Sequence, residues 1–314
     1  MNSRKIKNGL VSVIIPLFGD FDSAGVEMCI DSIKSQRGVD LEIVVVEQTK
    51  VSQLADMKNI TYKHIPVTKS EDGFFMPGRV RNHAVKISSG EFIYNSDSDI
   101  LFLDRSYLKR LMYMLQKSER LCFYQPPMKR LPLENLEEFK KRFREGGLQS
   151  AVSTLDFSQP YGATYPNNSI RIRHFKKTLS SGEEEISVAT ETDHRRYLSG
   201  QNKGKEPFFY TLQVHAGGTL MRQNQFFSVG GYCEDYAGWG CHDEDIQWKL
   251  CSAFDLQRIS EGMEFEMLHL DHSRQYFSEI RWGKNREIQT RRKEAGVENA
   301  IKYDQLNLRG QDEG

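Results

Sequence analysis

The chain has 314 residues, and its 43 lysines and arginines are balanced by 43 aspartates and glutamates, so its formal net charge is zero. This balance argues against a nucleic-acid-binding protein, since such proteins bind phosphates through a clustered basic excess. Apolar residues make up 38% of the sequence, enough for a sizeable core, and no apolar run approaches the ~20 residues of a membrane span. We expect a cytoplasmic protein, and the short basic N-terminus (Arg4, Lys5, Lys7) leaves open peripheral attachment to the inner membrane face.

The first 120 residues alternate between strand-like and helix-like segments. Apolar β-branched runs predict strands, and apolar residues at helical spacing predict helices between them. The predicted strands are 11–16, 41–46, 60–65 and a segment around Phe92, and the predicted helices are 24–33 and 80–87. This alternation predicts an α/β fold with a mostly parallel central sheet flanked by helices.

Two carboxylates, Asp97 and Asp99, follow the predicted strand around Phe92. Ligands of open α/β sheets bind outside the carboxyl ends of the strands. Two neighbouring carboxylates there repel each other unless a cation lies between them, and a divalent ion carrying a nucleotide diphosphate would be such a cation. The alternative is an Asp-rich turn that caps a helix starting near Asp104, because Asp favours turns and N-caps.

The alternation stops after Tyr124, and residues 125–209 are polar and rich in charge. We interpret this segment as an insertion with one amphipathic helix, 133–143, and mobile loops, one of which would close over the site. Core-like sequence returns at 210–221 and continues through a helix around 246–254. The basic tail after Ser278 is predicted to be a solvated helix packed on the outside of the domain.

A second group of candidate residues surrounds Trp239, which lies between Gly238 and Gly240. Flanking glycines let the backbone turn sharply around the ring, which suits either stacking on a sugar or a core tryptophan under a loop. The acidic residues 243–245 then open a helix, where they either cap it or supply a general base. Successive helical residues turn by about 100°, so Asp243 and Asp245 face nearly opposite sides, and Asp243 is better placed beside Trp239.

Two histidines, His269 and His272, flank a short apolar segment near the end of the chain. A neutral imidazole would complete a metal site that already has carboxylate ligands. On a strand these two positions point to opposite faces, so we expect only one of them to bind the metal. A zinc site of Cys233, Cys241 and His242 is not expected, because the spacing does not match the usual ligand pairs.

In their order and spacing, these motifs resemble an inverting GT-A-fold glycosyltransferase of the family 2 type. The residues from Gly217 to Arg274 are similar to β-1,4-galactosyltransferases and chondroitin-type polymerases. The motifs are a strand ending in Pro16, a strand ending in Glu47, Gly78-x-x-Arg81-Asn82, Asp97-x-Asp99, Gly230-Gly231, Gly238-Trp239-Gly240 with the acidic triplet, and His272-Ser273-Arg274. The resemblance implies a single domain over 1–314, with a nucleotide-sugar half (10–124), the insertion (125–209), an acceptor half (210–275) and a tail (276–314).

The resemblance also implies roles for individual residues. Mn²⁺ or Mg²⁺ would be bound by Asp97, Asp99 and His272. The UDP-sugar donor would lie against Pro16, Glu47, Arg81, Asn82 and Asp97, and the saccharide acceptor against Trp239, His242 and Asp245. Asp243 matches the base that deprotonates the acceptor hydroxyl. The acceptor oxygen would then attack the anomeric carbon in one in-line displacement, so the anomeric configuration would invert. The family has glutamate where this chain has His242, so acceptor recognition is expected to differ.

Two other functions are compatible with parts of the pattern. A nucleotidyltransferase would carry a glycine-rich basic loop after its first strand, whereas this chain has an acidic segment with one glycine, Leu17–Asp22. A catalytically silent sugar-binding or scaffold protein would not need intact Asp97, Asp99, Asp243 and His272. We therefore expect transfer of a hexose or N-acetylhexosamine to a glycan or lipid-linked saccharide, in surface polysaccharide synthesis. The donor sugar, the acceptor and the linkage stay open.

Overall fold

The fold was determined as a computed structural model. It describes residues 6–19, 21–54, 59–66, 74–124, 129–131, 133–153, 174–178, 184–188, 206–207, 218–258, 267–272 and 277–310. Most of the predicted insertion, including its proposed closing loop, and the motif residues Ser273 and Arg274 lie outside these ranges. Among the described helices, none is long and apolar enough to cross a bilayer.

Helices and strands alternate in the first part of the chain, as the apolar pattern predicts. The strands there are β1 (Lys7–Phe18), β2 (Leu41–Thr49), β3 (Thr61–Pro66), β4 (Gly90–Asn95), β5 (Ile100–Phe102) and β6 (Leu121–Tyr124), and the helices are α1 (Ser23–Lys34), α2 (Pro77–Ile87) and α3 (Tyr107–Leu115). Because α3 begins eight positions after Asp99 and has Ser106 at its N-cap, the Asp97–Asp99 pair does not cap it.

The second part of the chain is more mixed. Its strands are β7 (Lys129–Leu131), β8 (His174–Thr178), β9 (Glu184–Val188), β10 (Glu206–Pro207), β11 (Thr219–Arg222), β12 (Asp255–Arg258) and β13 (Met267–Leu270). Its helices are α4 (Leu133–Val152), α5 (Gln223–Ser228), α6 (His242–Ala253), α7 (Glu279–Ala295) and α8 (Val297–Gly310). The amphipathic helix of the insertion is longer than predicted, because the chain continues past Phe143 and through a kink at Gly147.

Seven strands form the central sheet in the order β12-β6-β11-β4-β1-β2-β3. The pairs β1–β2, β1–β4, β2–β3 and β6–β12 are parallel, and only β11 runs antiparallel to its neighbours. Buried side chains from both faces form two apolar clusters, one containing Val13 and Ile15 and the other Ile14 and Val44. The predicted α/β fold, with a mostly parallel sheet flanked by helices, is therefore confirmed.

Two smaller three-stranded sheets accompany the central one, in the orders β10-β8-β9 and β5-β13-β7. The second of these determines the geometry of the site, because β5 begins directly after Asp99 and β13 carries His269. The amide of Leu270 donates to the carbonyl of Asp99 at 2.8 Å, which fixes the end of β13 beside the acidic turn.

The C-terminal helices are more deeply integrated than the sequence predicted. Within α7 and α8, Asn285, Gln289, Arg292 and Asp304 are buried polar residues, although the mean hydropathy of this tail is low. Polar side chains bury here because they pair with charges and backbone groups of α6 and its preceding loop. The expectation of a solvated tail is corrected accordingly: only the outer faces of these helices are exposed.

Candidate active site

Asp99, His269 and His272 form a cluster whose potential ligand atoms all lie within 4.8 Å of one another. The Nε2 atoms of His272 and His269 lie 3.3 and 3.5 Å from Oδ2 of Asp99. One carboxylate and two imidazoles are a donor set that suits a divalent metal such as manganese. Within the described residues, this is the group that fits a metal ion.

Both histidines face Asp99, although the alternation of a strand predicted that only one would. Strand β13 ends at Leu270, so His272 lies beyond it and does not obey the two-residue alternation. His269 is almost fully buried in the strand, whereas the His272 side chain is about one-third exposed. The face argument for a single histidine therefore does not hold, and His269, which the sequence offered but the ligand set did not include, joins the candidate cluster.

The two carboxylates of the Asp97–Asp99 turn face different partners. Asp97 Oδ1 accepts a hydrogen bond and ion pair from Arg81 Nη2 at 2.6 Å, while Asp99 faces the histidines. In the described residues, Asp97 is not part of the cluster around Asp99. The turn thus places a potential metal ligand, Asp99, two residues from Asp97, which pairs with the buried Arg81.

Arg81 is a buried cation in the centre of the site. Burial lowers the pKa of its guanidinium, but the negative charges of Asp243 and Asp97 raise it more, so the net shift is upward. The guanidinium also lies over the ring of Tyr232, 5.4 Å from the centroid. Within the described part of the chain, Nε and Nη1 of Arg81 make no hydrogen bond. Arg81 therefore connects the Asp97 side of the site electrostatically to Asp243.

Asp243 lies in the first turn of α6 and contacts its neighbour His242. The Nε2 atom of His242 is 3.2 Å from Oδ2 of Asp243, and the His242 ring packs near Tyr232 in a largely buried position. The N-terminal turn of a helix favours a negative charge. This arrangement can hold an ionised carboxylate beside a positive guanidinium, which is what a general base needs.

Trp239 is 37% exposed, and its ring lies edge-on to His272 with 6.0 Å between the centroids. A core position for this tryptophan is therefore wrong. The loop turns through the left-handed region at Gly238 (φ 66°) and Gly240 (φ 98°), which a side chain would disfavour. The ring is thus presented at the surface next to the candidate metal cluster.

Asp245 is fully buried and belongs to an ion network rather than to an exposed site. Both its oxygens accept hydrogen bonds from Arg292 of α7, at 2.8 Å from Nε and 3.0 Å from Nη2, and Tyr236 donates to it at 3.0 Å. An acceptor cannot reach a carboxylate with no exposed surface. The expectation that Asp245 contacts the acceptor is therefore corrected, because the helical rotation turns it into the core.

Asn82 is fully buried and fastens α2 to the loop that follows α5. Its Nδ2 donates to the carbonyl of Tyr232 at 2.9 Å and to Glu234 Oε1 at 2.8 Å, and its Oδ1 accepts from the amide of Tyr232 at 2.8 Å. A Cβ at Gly78 would clash with the Cys233 carbonyl. The Gly78-x-x-Arg81-Asn82 motif thus serves close helix packing, and Arg81 is its member that faces the charged site.

Glu47 and Pro16 lie inside their strands rather than at the ends, since β2 continues to Thr49 and β1 to Phe18. Burial raises the pKa of Glu47, but hydrogen bonds to its carboxylate have a larger, opposite effect, so the net shift is downward. The donors are Thr49, Tyr62 and the amides of Gln53 and Leu54. The carboxylate therefore organises the segment after β2. Pro16 is buried and pairs in register with Val46.

Three solved structures illustrate what the chain is similar to. S. aureus TarS (residues 1–349) in complex with UDP shares 14% identity, and the similarity covers 83% of this chain and 60% of that one, with a TM-score of 0.45. The complex of TarS with UDP-GlcNAc shares 13% identity over 85% and 60%, with a TM-score of 0.42. The catalytic domain of Drosophila beta1,4-galactosyltransferase 7 with xylobiose shares 14% identity over 88% and 79%, with a TM-score of 0.43.

These likenesses are distant, and the chain spans only 60% of the TarS chains it resembles. No curated protein matches the sequence. The family model described as glycosyl transferase family 2 matches residues 12–186, which is more than half of the chain and includes part of the predicted insertion. The chain therefore belongs to glycosyl transferase family 2.

Proposed function

We propose that this protein is a glycosyltransferase that moves a hexose or N-acetylhexosamine from a UDP-sugar to a hydroxyl of a glycan or lipid-linked saccharide. In this proposal the reaction depends on Mn²⁺ or Mg²⁺ and inverts the anomeric configuration. The donor half and the acceptor half of a single domain would meet at the carboxyl ends of β2 and β4, where ligands of open α/β sheets bind.

The observation that carries the proposal is a continuous series of contacts across this edge of the sheet. Trp239 contacts His272, and His272 contacts Asp99. Asp97, two residues before Asp99, pairs with Arg81, whose charge interacts with Asp243. Three features are therefore neighbours: a cluster of potential metal ligands, an exposed aromatic ring, and a carboxylate that interacts with a buried cation. Their combination favours a sugar transferase over a site that binds only a metal or only a sugar.

Asp99, His269 and His272 would hold the cation. When bound there, the ion supplies positive charge for the diphosphate leaving group. The two imidazoles favour Mn²⁺ over Mg²⁺, since Mg²⁺ prefers an all-oxygen octahedral shell. The observation behind this assignment is the short separation of the three ligand atoms, all within 4.8 Å of one another.

Asp243 would remove the proton from the acceptor hydroxyl. Arg81 supports this role, because its charge interacts with Asp243 and favours the ionised carboxylate, the form that can accept a proton. His242 contacts Oδ2 of Asp243 at 3.2 Å and would help to orient the carboxylate. Trp239 would stack on the acceptor sugar next to the cation site.

The experiment uses the full chain with four donors, namely UDP-galactose, UDP-glucose and their two N-acetylated forms, each with Mn²⁺, Mg²⁺ or EDTA. We expect UDP release with one or two donors, fastest with Mn²⁺ and abolished by EDTA. Titration calorimetry of Mn²⁺ with UDP gives a readout apart from turnover. Asp99→Asn should lower Mn²⁺ affinity by at least about 100-fold, because losing even an outer-shell partner costs 10–100-fold.

Asp271→Asn is the matched control, since it removes a carboxylate between the two histidines while an amide oxygen still accepts from the His272 amide. This variant should bind Mn²⁺ like the wild type. EDTA-insensitive release, or equal affinity of Asp99→Asn and wild type for Mn²⁺, would refute the metal assignment. Lack of release from every donor would favour a sugar-binding protein that no longer transfers.

A further inference from the structure

A single side chain of the C-terminal helix α7 supports the loop that carries Trp239. This loop, Ala237–Gly240, is called the Trp loop below. Asn285 Nδ2 donates to the carbonyl groups of Ala237 and Trp239, each at 3.0 Å, and of Gly240 at 3.3 Å. Its Oδ1 accepts from the amide of Ala237 at 3.4 Å, and the residue is fully buried.

The Trp loop needs such support, because its backbone is unfavourable on its own. Gly238, Gly240 and the following residue Cys241 all have positive φ, and Cys241 (φ 71°) has a side chain. A non-glycine residue in this region costs roughly 1–2 kcal/mol. Apart from the bond between the Gly238 amide and the Phe75 carbonyl at 2.7 Å, the contacts that hold the loop come mainly from α7.

The same loop determines where α6 begins. The Cys241 carbonyl accepts the first helical hydrogen bond, from the Asp245 amide at 2.9 Å, so the helix starts directly after the loop. Trp239 lies two residues before Cys241 and Asp243 lies two residues after it. A shift of the loop would therefore move the exposed ring, whereas the candidate base belongs to the helix that follows.

We propose that Asn285 is a positioning residue for the acceptor side of the site, and this inference rests on the function proposed above. Asn285 does not touch substrate; it holds the Trp loop so that Trp239 is preorganised to receive the acceptor sugar. The ion pair between Asp245 and Arg292 fixes α6 independently. Loss of the Asn285 amide thus loosens the loop while the helix stays in place.

The test compares Asn285→Ala and Asn285→Asp with Gln289→Ala. Asn285→Asp keeps the size and the acceptor oxygen but places an oxygen opposite three carbonyl groups. Gln289→Ala removes another buried amide from the same helix, one turn later. Hydrogen exchange of the peptide 235–241, Mn²⁺–UDP affinity, donor hydrolysis and the acceptor KM are measured for each folded variant.

We expect both Asn285 variants to speed exchange in 235–241 by at least about tenfold, since several hydrogen bonds are lost. The acceptor KM should rise about tenfold, the loss that corresponds to about 1.4 kcal/mol of preorganisation. Mn²⁺–UDP affinity and donor hydrolysis without acceptor should stay within about twofold of wild type. Gln289→Ala should leave loop exchange and the acceptor KM unchanged.

Unchanged exchange in 235–241 would overturn the inference whether or not the chain transfers sugar. Faster exchange with an unchanged acceptor KM would also overturn it, because the loop would then be irrelevant to the acceptor. A parallel loss of Mn²⁺–UDP affinity would show a general structural role instead. Failure of the proposed function itself is recognised separately, by the absence of transfer in the wild-type protein.

Discussion

Asp243 and His242 form a contacting pair in the first turn of α6. The imidazole contacts one carboxylate oxygen at 3.2 Å, and the charge of the buried Arg81 also interacts with Asp243. This contact restricts the orientation of the carboxylate. His242 is therefore expected to position the base, in addition to its predicted place on the acceptor side.

Replacing Asp243 by asparagine keeps the shape of the side chain and removes its basicity. We expect sugar transfer to fall by a factor on the order of 10²–10⁴, the usual contribution of a general base. Steady-state transfer and Mn²⁺–UDP binding are the two measurements, and binding should hardly change. Glu244→Gln is the control, because Glu244 is exposed on the same helical turn. Equal loss in both variants would exclude Asp243 as the base.

Glu47 provides a prediction about stability and pH. Its carboxylate accepts bonds from Thr49, Tyr62 and the amides of Gln53 and Leu54, and its pKa in the folded protein is below the ordinary 4.5. The stabilisation is thus complete above pH 4.5 and is lost as the pH falls through the lowered folded-state pKa. Glu47→Gln should lower the free energy of unfolding by about 1–3 kcal/mol at pH 7.

Denaturant unfolding of wild type and Glu47→Gln between pH 3 and 7 measures this difference. The gap between the two proteins should be constant near neutral pH and should shrink below about pH 4.5. Glu27→Gln, which changes an exposed carboxylate on α1, should show no comparable gap. A gap that does not depend on pH would contradict the assigned role of the ionised Glu47.

At the scale of elements, the Trp loop and the end of β13 meet at the proposed acceptor side of the site. The ring of Trp239 is partly exposed and contacts His272 rather than the core. Trp239→Ala should therefore leave the melting temperature within a few degrees of wild type, whereas loss of a buried tryptophan costs ~3–5 kcal/mol. The acceptor KM should rise, and donor hydrolysis without acceptor should be largely retained.

Calorimetry and acceptor titration measure the two halves of this prediction. Tyr113→Ala removes an exposed aromatic side chain from α3 and should change neither quantity. A large drop in melting temperature for Trp239→Ala would mean that the ring is structural. An unchanged acceptor KM would mean that the sugar binds elsewhere.

At the scale of the whole molecule, a buried ion network joins α6 to the C-terminal helices α7 and α8. Arg292 of α7 pairs with Asp245 of α6 and with Asp304 of α8, and Lys249 of α6 also pairs with Asp304. Burial lowers the pKa of Arg292, but its carboxylate partners raise it more, so the guanidinium stays charged. The network therefore acts as one unit that holds three helices together.

Arg292→Met should destabilise the protein by about 3–5 kcal/mol, because two buried carboxylates lose their main cation. Denaturant unfolding checks this value. Arg291→Met alters the exposed neighbour on the same helix and should stay within about 0.5 kcal/mol of wild type. A small effect of Arg292→Met would mean that Lys249 alone balances both carboxylates.

The sequence by itself determined the α/β alternation, the turn with Asp97 and Asp99, and the candidate residues Trp239 and Asp243. These features follow from local chemistry: apolar periodicity, glycine-permitted turns and helix starts depend on neighbouring residues. The end of β13 depends less on neighbouring residues. In the sequence, only the polar residues Asp271 and His272 indicate that the strand ends at Leu270. For this reason the sequence suggested one histidine ligand, whereas the fold brings both to Asp99.

Only the tertiary structure decided which polar residues share an environment. In the structure Arg81 pairs with Asp97, and Arg292 pairs with the buried Asp245. Asn285 donates a hydrogen bond to the backbone of the Trp loop. These contacts join residues 16 to 48 positions apart, and no periodicity encodes such pairings. Burial makes them specific, because a charge or amide removed from water must find a partner that only the complete fold supplies.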